Sequence, residues 1–223
     1  MSELIARRAV STVQKEAKRD AILIAARALF VETGFSDINI AEIARRAGLA
    51  KGTVYLYFKT KEEIFLNLAS EELESWFDVL DNALLSPETT RSIPDFVGMM
   101  KGLLAERPLL LRLIPPLHLV FENNISLDQA LRIKQALARR IQYTGGLIEK
   151  GLGFLAEGQG LEVLLNIQCF IVGFGQMAAP SPILREILER PEMAAFRIDL
   201  LESFERSLGI YLTGLKAMSA AQE

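Results

Sequence analysis

Apolar positions recur at three- and four-residue spacing along most of the chain. Between Lys15 and Thr33 they fall at Ile22, Ala26, Leu29 and Phe30, with Lys18, Arg19 and Arg27 on other faces. This spacing predicts a first helix, and Gly34 supplies a left-handed stop. Asn39 stands three residues before Glu42, a capping-box spacing in which each side chain can bond the other's free backbone N–H. A short second helix from Ile40 to Ala47 should follow and end at Gly48. A third, Lys51 to Phe58, buries Val54 and Phe58, four residues apart. Two short helices around a glycine make a helix-turn-helix. Thr60 and Glu63 repeat the capping spacing at the head of a long helix that carries Ile64, Phe65, Leu68, Leu73, Trp76, Phe77, Leu80 and Leu84, with Ser86 and Pro87 as its end.

All eight prolines lie after residue 86, so breaks concentrate in the second part. Helices are expected from Pro94 to Glu106 and from Pro108 to Glu122, the latter kinked at Pro115-Pro116, where neither residue can donate a helical hydrogen bond. Ser126 and Gln129 cap a helix from Leu127 to about Lys150. An apolar helix, Leu161 to Ala178, comes next. One short helical piece lies between Pro180 and Pro191, and a final helix places Leu201, Phe204, Leu208, Tyr211 and Leu215 in a stripe. No strand-like alternation of any length appears. The expectation is an all-α chain of about nine helices, with a three-helix helix-turn-helix domain over residues 1–61 and a helical body over residues 62–223.

Charge sharpens that division. The chain of 223 residues has a formal net charge of -3, but residues 1–61 hold eleven Lys/Arg against six Asp/Glu and the remainder fourteen against twenty-two. A basic head on an acidic body suits a polyanion partner. One cysteine, Cys169, and one histidine, His118, leave no internal disulfide and no zinc cluster, and no paired-carboxylate or nucleophile motif accompanies them. No enzyme, metal or cofactor is therefore expected, and Cys169, in an apolar helix, reads as a small hydrophobe. Glu3, Arg7 and Arg8 interrupt any secretory signal, so a cytoplasmic protein is expected. The uncharged run from Val163 to Leu184 approaches membrane-spanning length, but Asn166, Gln168, Gln176, Pro180 and Pro182 favour a helix buried between its own core and a partner subunit, with no membrane involved.

The chemistry concentrates in the third helix. Lys51, Gly52, Thr53, Tyr55 and Tyr57 point away from Val54 and Phe58, giving a small, basic, hydroxyl-bearing face suited to a major groove. Lys61 is placed to reach the sugar-phosphate backbone. Arg45 and Arg46 read as a solvent face, and Arg7 and Arg8 as a frayed terminus in preference to a minor-groove arm. Gly48 to Thr53 is no phosphate loop, because its lysine precedes the glycine and no strand leads in. Gly151 and Gly153 end a helix and form no dinucleotide fingerprint.

Residues 38–64, INIAEIARRAGLAKGTVYLYFKTKEEI, resemble the DNA-binding signature of the tetracycline-repressor (TetR) family, the likeness extending from about Ala21 to Leu68. The resemblance implies operator contacts at Lys51, Gly52, Thr53, Tyr55, Tyr57 and Lys61, with Asn39 counted beside them. One departure is Ala50, where the family usually has a capping Ser or Thr; its absence weakens the cap by about 1 kcal/mol. The resemblance further implies an effector cavity among the helices from Thr60 to Lys150 and a dimer made by the last two long helices. Trp76, Met99, Met100, His118, Phe121 and Tyr143 are candidate cavity residues, being large, soft or singly polar. Leu164, Phe170, Leu201, Phe204, Leu208 and Tyr211 are candidate dimer residues. The expected function is a ligand-responsive repressor, a homodimer on a pseudo-palindromic double-stranded DNA operator, released by a small hydrophobic effector. The rival is a small-molecule carrier or helical enzyme with a vestigial helix-turn-helix.

Overall fold

The computed structural model describes residues 2–86, 91–117, 120 and 125–221, with side chains from residue 13 onward. Contacts divide the chain into two compact units, residues up to Glu71 with 117–126, and residues 72–116 with 127 onward. Each is helical, and no strand occurs among the described residues.

The first unit contains α1 (Ser2–Thr33), α2 (Ile40–Arg46), α3 (Lys51–Tyr55) and the opening turns of α4 (Lys61–Leu84). Its core is Ile22, Leu29, Phe30, Ile43, Val54, Phe58, Ile64, Phe65 and their neighbours. Phe35 meets the Phe65 ring edge-on at 5.1 Å, which seats the α1–α2 turn on α4. The glycine stops work as expected. Gly34 (φ 81°) donates to Phe30 O, and Gly48 (φ 67°) lets Leu49 N reach back to Ala44 O at 2.9 Å, a Schellman-type closure. Two expectations are corrected. The first helix begins at Ser2, not Lys15, because neither glycine nor proline precedes Gly34, so the backbone at Arg7 and Arg8 is helical and not a frayed end. The third helix closes at Tyr55, with Leu56 and Tyr57 in the following turn.

The second unit takes the rest of α4, then α5 (Ile93–Ala105), α6 (Pro108–Pro116), α7 (Leu127–Leu152), α8 (Gln159–Ala178), α9 (Pro182–Leu188), a 3-10 turn (Pro191–Phe196) and α10 (Leu200–Ala220). Its core runs from Trp76, Phe77 and Leu80 through Phe96, Met100, Leu110 and Ile148 to Val163, Ile167, Phe204, Leu208 and Leu212. The helix expected to kink at Pro115-Pro116 is α-helical through both prolines, and most of its expected continuation to Glu122 lies outside the described residues. Where α7 crosses α8, glycine is obligatory: a Cβ at Gly160 would stand 2.0 Å from Gly145 O. Glu149 Oε1 accepts from Gly158 N and Gly160 N at 2.9 Å each, so a carboxylate on α7 caps α8. A polar clamp joins α4 to α7: Thr144 Oγ1 donates to Asp81 Oδ1 at 2.7 Å, and Arg140 Nη2 lies 2.8 Å from Asp81 and 2.7 Å from Asp78.

Among the described residues α8 is one helix long and apolar enough to cross a membrane by length and composition. It packs Val163, Leu164, Ile167 and Ile171 into the core of its own unit.

Candidate nucleic-acid interface

The five residues of α3 are too few to be stable alone, and the helix is held by its apolar anchors. Val54 is fully buried and Phe58 nearly so. With those two positions inward, Lys51, Gly52, Tyr55 and Leu56 are exposed while Thr53 and Tyr57 are half-buried. Lys51 Nζ stands 5.9 Å from the centre of the Tyr55 ring. A Cβ at Gly52 would touch nothing, which leaves the backbone open to close approach. Ala50 is the N-cap and provides no side-chain bond, as its residue type requires.

A shallow concavity of about 500 Å³ beside α3 is lined by Asn39, Lys51, Tyr55 and Lys61 together with Lys59 and Glu62. Four of the seven sequence candidates therefore meet in one place, and Gly52, Thr53 and Tyr57 lie outside that lining. Two of the four have internal work. Asn39 Oδ1 accepts from Glu42 N at 3.0 Å and caps α2, while the Glu42 carboxylate lies 3.8 Å from Arg45. The Lys61 ammonium donates to Phe35 O (3.1 Å) and Ile38 O (2.9 Å) and sits 4.2 Å from the centre of the Phe35 ring. It thus closes the α1–α2 turn onto α4. At the head of α4, Glu63 N donates to Thr60 Oγ1 at 3.1 Å, and the Glu63 carboxylate accepts from Lys59 N, one residue before the cap.

Two other cations of this unit are tied down. Arg46 pairs with Glu32 through both nitrogens at 2.6 and 2.5 Å, which holds its guanidinium pKa above the usual value. Arg19 Nη2 donates to Asn67 Oδ1 at 2.7 Å and Nη1 to Glu71 at 3.2 Å. Sequence reasoning missed Leu56, which is 80% exposed between the two tyrosines. Its signal was present: the same pair, Val54 and Phe58, that turns Tyr55 outward turns Leu56 outward too.

In the second unit the candidates scatter. Trp76 and Met100 are core residues, Trp76 with its indole N–H buried and without a partner, and Met99 is half-buried. Tyr143 is 54% exposed, because Thr144, Leu147 and Ile148 occupy the inward face of α7. His118 and Phe121 lie outside the described residues. Of the dimer candidates, Leu164, Phe204 and Leu208 are spent in the core of their own unit, whereas Phe170, Leu201 and Tyr211 are half-buried. A stripe at helical spacing marks burial without saying against what. The uncovered apolar side chains are Leu161, Leu165 and Met177 on α8 and Ile210 and Met218 on α10. Tyr211 links these helices, its hydroxyl donating to Glu162 Oε1 at 3.1 Å and accepting from Asn166. Burial first, and the Glu162 carboxylate second, push its phenol pKa up to about 12.

Comparison with known proteins agrees with this geometry. The family model for bacterial regulatory proteins of the tetR family matches residues 22–68, and that for the tetracyclin repressor-like C-terminal domain matches residues 70–219. The fatty acid metabolism regulator protein of Bacillus subtilis is 28% identical over 155 residues, covering 70% of this chain and 78% of its own. The HTH-type transcriptional regulator QacR of Staphylococcus aureus is 32% identical over 73 residues, 33% of this chain and 39% of its own. The crystal structure of Thermus thermophilus FadR, a TetR-family repressor in complex with lauroyl-CoA, shares the fold at a TM-score of 0.56 and 22% identity, over 87% of this chain and 93% of that one. With an exposed helix-turn-helix in the first unit and family matches across both, the chain belongs to the TetR family of DNA-binding transcriptional regulators.

Proposed function

We propose that the protein is a repressor that acts in the cytoplasm as a homodimer on a pseudo-palindromic operator and is released by a small hydrophobic effector. The observation that carries this reading is the outward face of α3, where a lysine, an open glycine and a tyrosine are exposed on a helix anchored by Val54 and Phe58. Lys51 and Tyr55 serve phosphates and base edges, with Gly52, Thr53 and Tyr57 beside them, and Leu56 offers an apolar contact for a thymine methyl group. Lys61 and Asn39 set the orientation of α3 through the bonds they already make.

Support for the dimer comes from α8 and α10. The side chains they leave uncovered, Leu165, Met177, Ile210 and Met218 among them, suit a second copy of the same helices. Two heads would then read half-sites about one DNA turn apart. The Bacillus subtilis relative is a fatty acid metabolism regulator, and solved FadR proteins hold lauroyl-CoA and stearoyl-CoA. A long acyl thioester is therefore the first effector to try. Release requires only that the effector prefer the conformation that fits DNA poorly; moving the population from 99:1 to 1:99 takes a preference of about 10⁴-fold.

The test is a footprint on the DNA flanking the protein's own gene, followed by titration with lauroyl-CoA. The expected result is a protected pseudo-palindrome that is lost on adding the acyl thioester. A footprint that ignores every hydrophobic effector would remove the ligand-responsive part of the proposal, and affinity no better than for random DNA would remove all of it.

A further inference from the structure

A groove of about 710 Å³ opens in the second unit among the first turn of α5, the end of α7 and the later turns of α10, and contains none of the six side chains expected to line a cavity. Its apolar wall includes Ile93, Val97, Leu152 and Phe154, and its two charged members, Arg91 and Lys216, are both cations. Lys216 Nζ stands 5.9 Å from the centre of the Phe154 ring. Arg91 is fixed from two sides: its backbone N–H donates to Gly151 O at 2.7 Å and its Nη2 to Ala83 O at 2.6 Å. Its Nη1 is buried and has no hydrogen-bond partner, so no carboxylate neutralises the guanidinium through that nitrogen. The nearby carboxylate of Asp95 is occupied by the Ser92 hydroxyl at 2.5 Å and is solvent-exposed. Gly209, in the interior of α10, also borders the groove, and a Cβ there would meet nothing within 4 Å. Glycine weakens a helix interior, so its place here keeps the space open at a cost to α10.

We propose that this groove binds an amphipathic anion, with an alkyl chain along Ile93, Val97, Leu152 and Phe154 and a carboxylate or phosphate head between Arg91 and Lys216. The volume suits a ligand of that size, and apolar walls whose two charged members are both cations favour an anionic head over a neutral or cationic one. The site stands on the groove's own geometry and does not depend on what releases the operator.

Calorimetric titration of the full chain with dodecanoate, dodecyl phosphate and dodecyltrimethylammonium, each below its micelle concentration, tests the assignment. Both anions are expected to bind, the cation at least about tenfold more weakly. The tighter of the two anions identifies the head as carboxylate or phosphate ester. Gly209→Phe fills the groove without displacing any atom near its Cβ and should remove one anion site per chain. Gly102→Phe, at an equally open position on α5 away from the groove, should remove none. Lys216→Glu, an exposed change that leaves the packing intact, should weaken anion binding about tenfold while the melting temperature stays near that of the parent. The proposal is overturned if Gly209→Phe binds the anions as the parent does, if the cation binds as tightly as they do, or if no amphiphile binds.

Discussion

The two units solve opposite problems. In the first, the chemistry faces outward: a few buried aromatic and aliphatic anchors hold a short helix whose other side is free, and the termini are closed by residues only three or four positions away. In the second, polar side chains join one helix to another across longer stretches of sequence. Thr144 meets Asp81, Lys101 Nζ meets Glu205 at 2.5 Å, and Glu149 caps the following helix. A recognition surface is thus written locally, whereas the body is written in pairings between helices. Several substitutions would break or sharpen that contrast.

The largest effect is expected at the α7–α8 crossing. Gly160→Ala drives a methyl group into Gly145 O and should cost about 3 kcal/mol, since backbone cannot step aside as a flexible side chain does. Urea unfolding would read it, and a parent-like midpoint would mean that the crossing is loose. Next comes Asp81→Ala, which strips Thr144 of its acceptor and Arg140 of one of its carboxylates deep in the second unit. A loss of about 2–3 kcal/mol follows from leaving buried donors unpaired. Neither change should alter how α3 presents its side chains.

In the first unit, Lys61→Met deprives two carbonyls of their donor and Phe35 of its cation, so a loss of about 1–2 kcal/mol should accompany weaker DNA binding. Lys51→Ala should instead leave stability unchanged and lower the salt dependence of DNA binding by about one phosphate contact. If Lys61→Met behaved like Lys51→Ala, the ammonium of Lys61 would belong to the DNA contact and not to the scaffold. The smallest effect is a gain: Ala50→Ser supplies the absent cap of α3 and should stabilise the first unit by about 1 kcal/mol in thermal unfolding.

Where signals are short-range, the sequence alone predicts well. Gly34 and Gly48 stop helices because only a residue without a Cβ turns left-handed cheaply, and Asn39 and Thr60 mark the two starts that matter for α3. The outward face of α3 follows from two inward residues, Val54 and Phe58, which turn apolar Leu56 outward as well as Tyr55. In the second unit periodicity gave the helices but not their partners. Phe204 and Leu208 lie on an apolar stripe that serves the unit's own core, and the uncovered large apolar residues on that helix are Ile210 and Met218, 69% and 63% exposed. Nothing in a one-dimensional pattern pairs Gly145 with Gly160 or directs Glu149 to the start of α8. Both depend on where two helices cross.

The central claim is that α3 reads duplex DNA through Lys51 and Tyr55. Fluorescence anisotropy with the protein's own upstream pseudo-palindrome, comparing the parent with the Lys51→Ala, Tyr55→Ala double variant at matched salt, tests it most directly. The account predicts that the parent binds this DNA at least about a hundredfold more tightly than random duplex, and that the folded double variant loses that advantage. Equal operator affinity of the parent and the folded double variant would contradict it.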